Sequence, residues 1–278
     1  MTPSKDGIEE PETLEQILGR PPAKYNPLMG SGLLHERTKM IMYGRYKALK
    51  SMLGLDLAFA LASGHDWIGF QTRPEGSRVF YLQLEIPYAL LRIRLAKTWR
   101  GRQDHQQLMD HENLVLWTQH FLKLDQSAGM HMLDHYVGQH KPDVLIIDPL
   151  YKVLSGNMLL GMDVEKVLDN LDMMIAKYGL SIVIIAHTRK GVMDMGEWGS
   201  DDLIGSSVLP AWADTVIKVE RRGEDRIAIK FDVVRHAEVE LDQQEVMFNR
   251  ETLEFNLVEL VKPAPDGASP STEQKETT

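Results

Sequence analysis

Apolar positions along this chain fall into short runs that alternate with stretches of helical period. Lys39–Tyr43 (KMIMY) is the first run, and after a turn the pattern predicts a helix from Lys50 to Ala62. Val79–Leu84 (VFYLQL) reads as a strand followed by a helix over Ala89–Thr98. Leu114–Trp117 is a short strand, and Gln126–Gln139 is helical. Val144–Ile147 (VLII) and Leu180–Ala186 (LSIVIIA) are continuously apolar, as in strands whose two faces are both covered, and Val164–Lys177 between them has helical period. The texture then changes. Thr215–Glu220, Arg226–Val234 and Glu245–Leu257 read as successive strands joined by charged turns such as Arg221–Asp225. Strand–helix alternation followed by hairpins predicts an α/β fold, a mostly parallel sheet flanked by helices with a C-terminal antiparallel extension.

The ends have a different character. Residues 1–35 are punctuated by Pro3, Pro11, Pro21, Pro22 and Pro27 and read as an arm. Within it Glu12–Leu18 (ETLEQIL) forms one short helix suited to docking on a neighbouring subunit. The stretch from Lys262, KPAPDGASPSTEQKETT, lacks the apolar residues needed to offset the entropy of ordering and is expected to be a disordered tail over 262–278. A single domain is expected over 36–261.

Composition narrows the picture. Of 278 residues 43% are hydrophobic and 26% charged, ordinary for a globular chain able to build a core without staples. Cys is 0, which removes disulfides, thiolate metal sites and thiol nucleophiles. No apolar run approaches the ~18 residues of a membrane span; the run Leu53–Ala62 is interrupted by Asp56. The N-terminus MTPSKDGIEEPE is polar and acidic, unlike a secretory signal, so no membrane partner and a cytoplasmic location are expected. A net charge of −9 argues against a broadly basic nucleic-acid coat and leaves room for a local basic patch.

The strongest local signal is MIMYGRYKALKS at a strand–helix junction. Gly44 closes the strand, and Lys50 and Ser51 open the helix six and seven residues later, the frame of the phosphate loop G-x-x-x-x-G-K-[ST]. That loop needs backbone N–H groups at a helix N-terminus, a Lys for the outer phosphates and a hydroxyl for Mg²⁺. Leu49 stands where the motif has its second glycine, and Lys47 adds a charge inside the loop. Three polar residues end the other runs. Asp148 closes VLIID and is the candidate Mg²⁺ carboxylate, Glu85 closes VFYLQLE and is the candidate general base, and His187 closes LSIVIIAH and is placed to sense a γ-phosphate. His131 and His135 sit i,i+4 in HMLDH, but the acid is displaced from its place in a zinc-protease helix, so no metal is assigned to them.

YGRYKALKS, LQLEIPYALLRIRL, VLIIDPLYKVLSG, IIAHTRKG and GSSVLPAWADTVIKVE occur in the order seen in RecA-like ATPases. Over about residues 36–260 the chain resembles the RepA-type replicative helicases of plasmids and phages, relatives of the DnaB helicase core. The resemblance implies hydrolysis of ATP with Mg²⁺ between subunits of a homo-oligomer, often a ring of six. It implies Glu85 as the water-activating base, Asp148 as the metal-linked carboxylate and His187 as the phosphate sensor. It implies loops over 152–163 and 190–207 facing single-stranded DNA, with Lys152, Arg189 and Lys190 as basic contacts. The chain departs from the family at Leu49 and at Asp214, which stands where an arginine finger is expected. Arg235, in DVVRHA, is the substitute candidate acting in trans, with Arg221 and Arg222 behind it. A primase or initiator is expected to act in trans. Two alternatives share the fold: a nucleotide-gated DNA-binding or assembly scaffold with weak turnover, and a filament-forming recombination or repair ATPase. A small-molecule phosphotransferase is disfavoured because no acceptor-binding lid is evident.

Overall fold

The computed structural model describes residues 11–21, 27–102, 111–156, 161–188 and 208–258. Nine strands form one sheet: β1 (Lys39–Gly44), β2 (Val79–Gln83), β3 (Leu114–Thr118), β4 (Val144–Asp148), β5 (Ser181–His187), β6 (Thr215–Arg221), β7 (Arg226–Val234), β8 (Gln244–Phe248) and β9 (Phe255–Leu257). Their order is β3-β2-β4-β5-β1-β6-β7-β8-β9. Every pairing from β3 to β6 is parallel, and β7, β8 and β9 follow antiparallel. The helices are α1 (Leu14–Leu18), α2 (Lys50–Ser63), α3 (Tyr88–Gly101), α4 (Ser127–His140), α5 (Gly161–Tyr178) and α6 (Val208–Trp212). This is the α/β arrangement the pattern predicts.

The continuously apolar strands are covered on both faces. In β1, Met40 and Met42 join one core with α2, while Ile41 and Tyr43 join the other with residues of α4, α5 and α6. Helix α2 is apolar on all sides because it lies in the middle of its layer, buried from Leu53 to Ser63. It approaches the sheet so closely that a Cβ on Gly54 would fall 2.3 Å from Ile185 Cδ1.

Two elements differ from expectation. The run Glu245–Leu257 is not one strand but the hairpin β8–β9. Asn249 Oδ1 accepts from the N–H groups of Glu251 (2.9 Å) and Thr252 (3.3 Å), and this side-chain-stabilised turn reverses the chain. Residues 27–35 do not belong to an arm, because Leu28, Met29, Leu33 and Leu34 are buried in the α2-side core. Helix α1 does form, with Thr13 and Gln16 in a reciprocal capping box, and buries none of its own residues. The expected tail over 262–278 and loop over 190–207, with Arg189 just before it, lie outside the described residues, as do 157–160 of the loop over 152–163. Among the described residues no helix is long and apolar enough to cross a membrane.

Candidate functional site

Four parallel strands deliver the predicted chemistry to one edge. Gly44 and His187 are register partners at the ends of β1 and β5, and Gln83 and Asp148 are partners at the ends of β2 and β4. Glu85 follows β2 by two residues. The carboxyl ends of parallel strands are where α/β folds form ligand crevices. Here they form a cleft of about 510 Å³ lined by the loop 46–52, Gln83, Glu85, Ile86, Arg94, His187 and Arg221.

Gly44 is required by proximity, since a Cβ there would sit 2.3 Å from the Val219 carbonyl oxygen. The loop that follows turns through two left-handed residues, Lys47 (φ 64°) and Leu49 (φ 63°), neither of them glycine. Leu49 is the N-cap of α2 and supplies no side-chain cap, so the first-turn N–H groups of α2 face the cleft without a side-chain acceptor. Lys50 is buried, and its Nζ donates to the carbonyls of Gly44 (2.9 Å) and Arg45 (2.8 Å), loop oxygens that hold it over the cleft. Burial lowers its pKa to about 8, against the opposing pull of Asp148 and Glu85.

Asp148 is almost wholly buried and receives three donors: Ser51 Oγ (3.0 Å), Tyr81 Oη (2.7 Å) and Gln83 Nε2 (3.2 Å). Burial raises its pKa to about 6, although Tyr81 and Ser51 oppose the shift. Gln83 does double duty. Its Oε1 accepts from the N–H of Ile86 (2.9 Å) and from that of Glu85, fixing the turn that presents the general-base candidate. Glu85 is exposed at the rim, where its Oε1 accepts from Tyr151 Oη at 2.5 Å. His187 lies 3.3 Å from Lys50 Nζ through Nδ1, and burial with the adjoining Lys50 charge lowers its pKa to about 4. It is therefore neutral at physiological pH, with Nδ1 the acceptor toward Lys50 and Nε2–H the donor.

Mg²⁺ fits this donor set. A Ser hydroxyl and a carboxylate 3.0 Å apart beside a phosphate loop are hard oxygen donors, few in number, as this ion prefers when phosphates supply the rest. Among the described residues no cluster of three or more His, Asp or Glu side chains offers a different metal site.

The late arginines are distributed differently from expectation. Arg235 lies beyond Val234, which pairs with Thr215 at the edge opposite the phosphate loop, and its Nη2 donates to the Ala211 carbonyl (2.8 Å). Arg221 lines the cleft and donates from Nη1 to the Lys47 carbonyl (3.0 Å). Asp214 holds the start of β1, accepting from Lys39 N–H (2.9 Å) and facing His236 Nε2 (3.3 Å). Lys152 sits at the rim in the 3₁₀ turn Leu150–Val153 after β4. Arg189 and Lys190 are outside the described residues. Tyr81, Gln83, Arg94 and Tyr151 were not among the sequence candidates. Gln83 alone carried a signal, as a polar residue inside an apolar strand that had to find partners.

Known proteins carry the same fold. The ATPase domain of a helicase superposes with a TM-score of 0.60 at 13% identity, covering 81% of this chain and 86% of that one. The KaiC-like protein PH0186 from the hyperthermophilic archaeon Pyrococcus horikoshii OT3 gives 0.56 at 12% identity over 86% and 99%. The RadB recombinase gives 0.55 at 14% identity over 81% and 92%. No curated protein matches by sequence. With its phosphate loop, strand-end carboxylates and parallel sheet, the molecule has the fold of a RecA-like P-loop ATPase. Residues 7–193 match the AAA domain family, and the chain belongs to that family.

Proposed function

We propose that this chain is a Mg-ATP-dependent motor on DNA, similar to RepA-type helicases. It works as a homo-oligomer, a ring of six, hydrolysing ATP at subunit interfaces and moving on single-stranded DNA. The observation that carries the reading is the convergence of Lys50, Ser51, Glu85, Asp148 and His187 on one cleft, each at or just past a strand end or at the start of α2. In this reading the phosphates lie against the N-terminus of α2, and Lys50 exchanges its carbonyl partners for phosphate oxygens. Ser51 and Asp148 hold Mg²⁺, which neutralises charge on the phosphates when bound. Glu85 takes the proton of the attacking water, and neutral His187 donates from Nε2 toward the transferring group. Lys152, Arg189 and Lys190 contact DNA, and Arg235 or Arg221 meets the neighbouring subunit's nucleotide.

A second reading, a nucleotide-gated scaffold with weak turnover, draws support from Leu49 in the phosphate loop and from Arg235 engaged with its own chain. The variants Lys50→Ala and Glu85→Gln separate the two. A motor loses turnover in both. A scaffold loses nucleotide-dependent assembly with Lys50→Ala and is untouched by Glu85→Gln. Turnover at the wild-type rate in both variants would refute the motor.

A further inference from the structure

The general-base candidate is held by a residue that none of the mechanism above employs. Tyr151 Oη donates to Glu85 Oε1 at 2.5 Å, and its ring stands edge-on to His187 with centroids 5.6 Å apart. On the other side Lys152 Nζ lies 5.4 Å from the centre of the Tyr151 ring. Adjacent residues of one 3₁₀ turn thus link a basic rim group to the carboxylate that would activate water.

The backbone of this turn is braced. Lys123 Nζ donates to the carbonyls of Lys152 and Leu154, both at 2.7 Å, and Leu124 N–H donates to the Val153 carbonyl at 2.7 Å. Ser155 N–H donates to Asp125 Oδ2 at 2.8 Å, and the Ser155 hydroxyl binds the same oxygen. With the main chain tied to the segment 123–125, adjustment falls to the side chains of Tyr151 and Lys152.

We infer that Tyr151 is a positioning residue that restrains Glu85, and that capture of a nucleic-acid phosphate by Lys152 releases the restraint. A carboxylate that accepts a short bond from a phenol shares its charge with that proton and is a weaker base toward water. The ammonium over the ring draws electron density from it and makes the hydroxyl a better donor. A phosphate competes for the same ammonium. Once Lys152 turns outward the phenol donates less strongly, and Glu85 is freed to face the cleft. Turnover is then low without DNA and rises when DNA occupies the rim. The inference rests on the motor reading, with Glu85 as the base.

The test uses the full chain, with steady-state ATP hydrolysis measured with and without oligothymidylate. Tyr151→Phe keeps the ring against His187 and removes only the hydroxyl. Its basal kcat should rise about tenfold, the factor that follows from losing one hydrogen bond to a charged group. KM for ATP should stay within about twofold, and oligothymidylate should add little further stimulation. A basal kcat at or below wild type, or an unchanged stimulation ratio, overturns the inference. Lys152→Gln approaches from the other end and should lose most of the stimulation at saturating oligothymidylate; full stimulation in that variant also overturns it. Glu85→Gln keeps the two claims apart. If that variant still turns over normally, the motor reading fails; if it is inactive while Tyr151→Phe behaves as wild type, only the restraint fails.

Discussion

Leu49 offers a sharp test, because the backbone there is set by the phosphate loop rather than by its side chain. It has φ 63° and ψ 15°, the left-handed region, at the entry to α2. A residue with a Cβ pays about 1–2 kcal/mol in that region, and a β-carbon is as costly in Ala as in Leu. Leu49 recovers part of this by packing against the α2-side core. It is only half-buried, so the recovery is about half the ~1.5–3 kcal/mol of a fully buried Leu. Leu49→Ala loses the packing and keeps the strain, and should destabilise the fold by about 1 kcal/mol. Leu49→Gly loses the packing and the strain together, but costs ~0.5–1 kcal/mol in unfolded-chain entropy. The Gly variant should therefore be more stable than the Ala variant by about 0.5–1 kcal/mol, the reverse of their order inside a helix. For a chain of this size that is about 2–3 °C in Tm. Chemical and thermal unfolding of both variants reads the difference. An Ala variant as stable as the Gly variant, or more so, would refute the argument that this residue carries backbone strain. The Gly variant should also bind ATP more tightly than wild type, because a side chain leaves the phosphate path.

Two further outcomes follow from the burial of charge. Nucleotide binding needs Asp148 ionised and Lys50 protonated; their pKa values of about 6 and about 8 in the free protein bracket a plateau. Mg-ATP affinity measured by titration should fall as pH drops through 6, where Asp148 takes up a proton, and again as it rises through 8, where Lys50 loses one. His187 titrates near 4 and should add no limb between 5 and 8; a limb near 6.5 that vanishes in His187→Gln would contradict this. On α2, Asp56 is buried and paired with Arg102 at the end of α3, while Arg102 Nε lies 3.9 Å from Glu254 beside β9. Asp56→Ala leaves a buried guanidinium without its partner, which costs ~3–5 kcal/mol, so Tm should fall by about 10 °C. A fall of under about 2 °C would show that this pair does not tie the phosphate-loop helix to the terminal hairpin.

What could be read from the sequence, and what could not, divides along the range of the interactions. Asp148, His187 and Glu85 end apolar runs or lie just past them, and a run's end is visible in one dimension; the strands then carry these residues to one edge without further instruction. Asp56 was equally visible as the charge interrupting an apolar helix, yet its partner Arg102 lies 46 residues away and the spacing gives no hint of it. Tyr81 reads as an ordinary strand aromatic, and its hydroxyl acquires a role only because β2 pairs with β4 in the register that sets Gln83 against Asp148. Arg221 and Arg235 look alike as basic residues near strand ends. Register, including the irregularity between Val216 and Ile217, decides that one reaches the phosphate loop and the other the opposite edge. The missed β8–β9 turn was legible in Asn249, whose side chain competes well with a continuing strand.

The central claim is that these residues form a working ATPase coupled to DNA. The most direct measurement is steady-state ATP hydrolysis by the purified full chain, with and without single-stranded DNA, alongside its mass in solution. The account predicts turnover by an oligomer that rises on adding DNA and is abolished by Glu85→Gln. Tight ATP binding with no turnover in either condition, or a monomer indifferent to DNA, would contradict it.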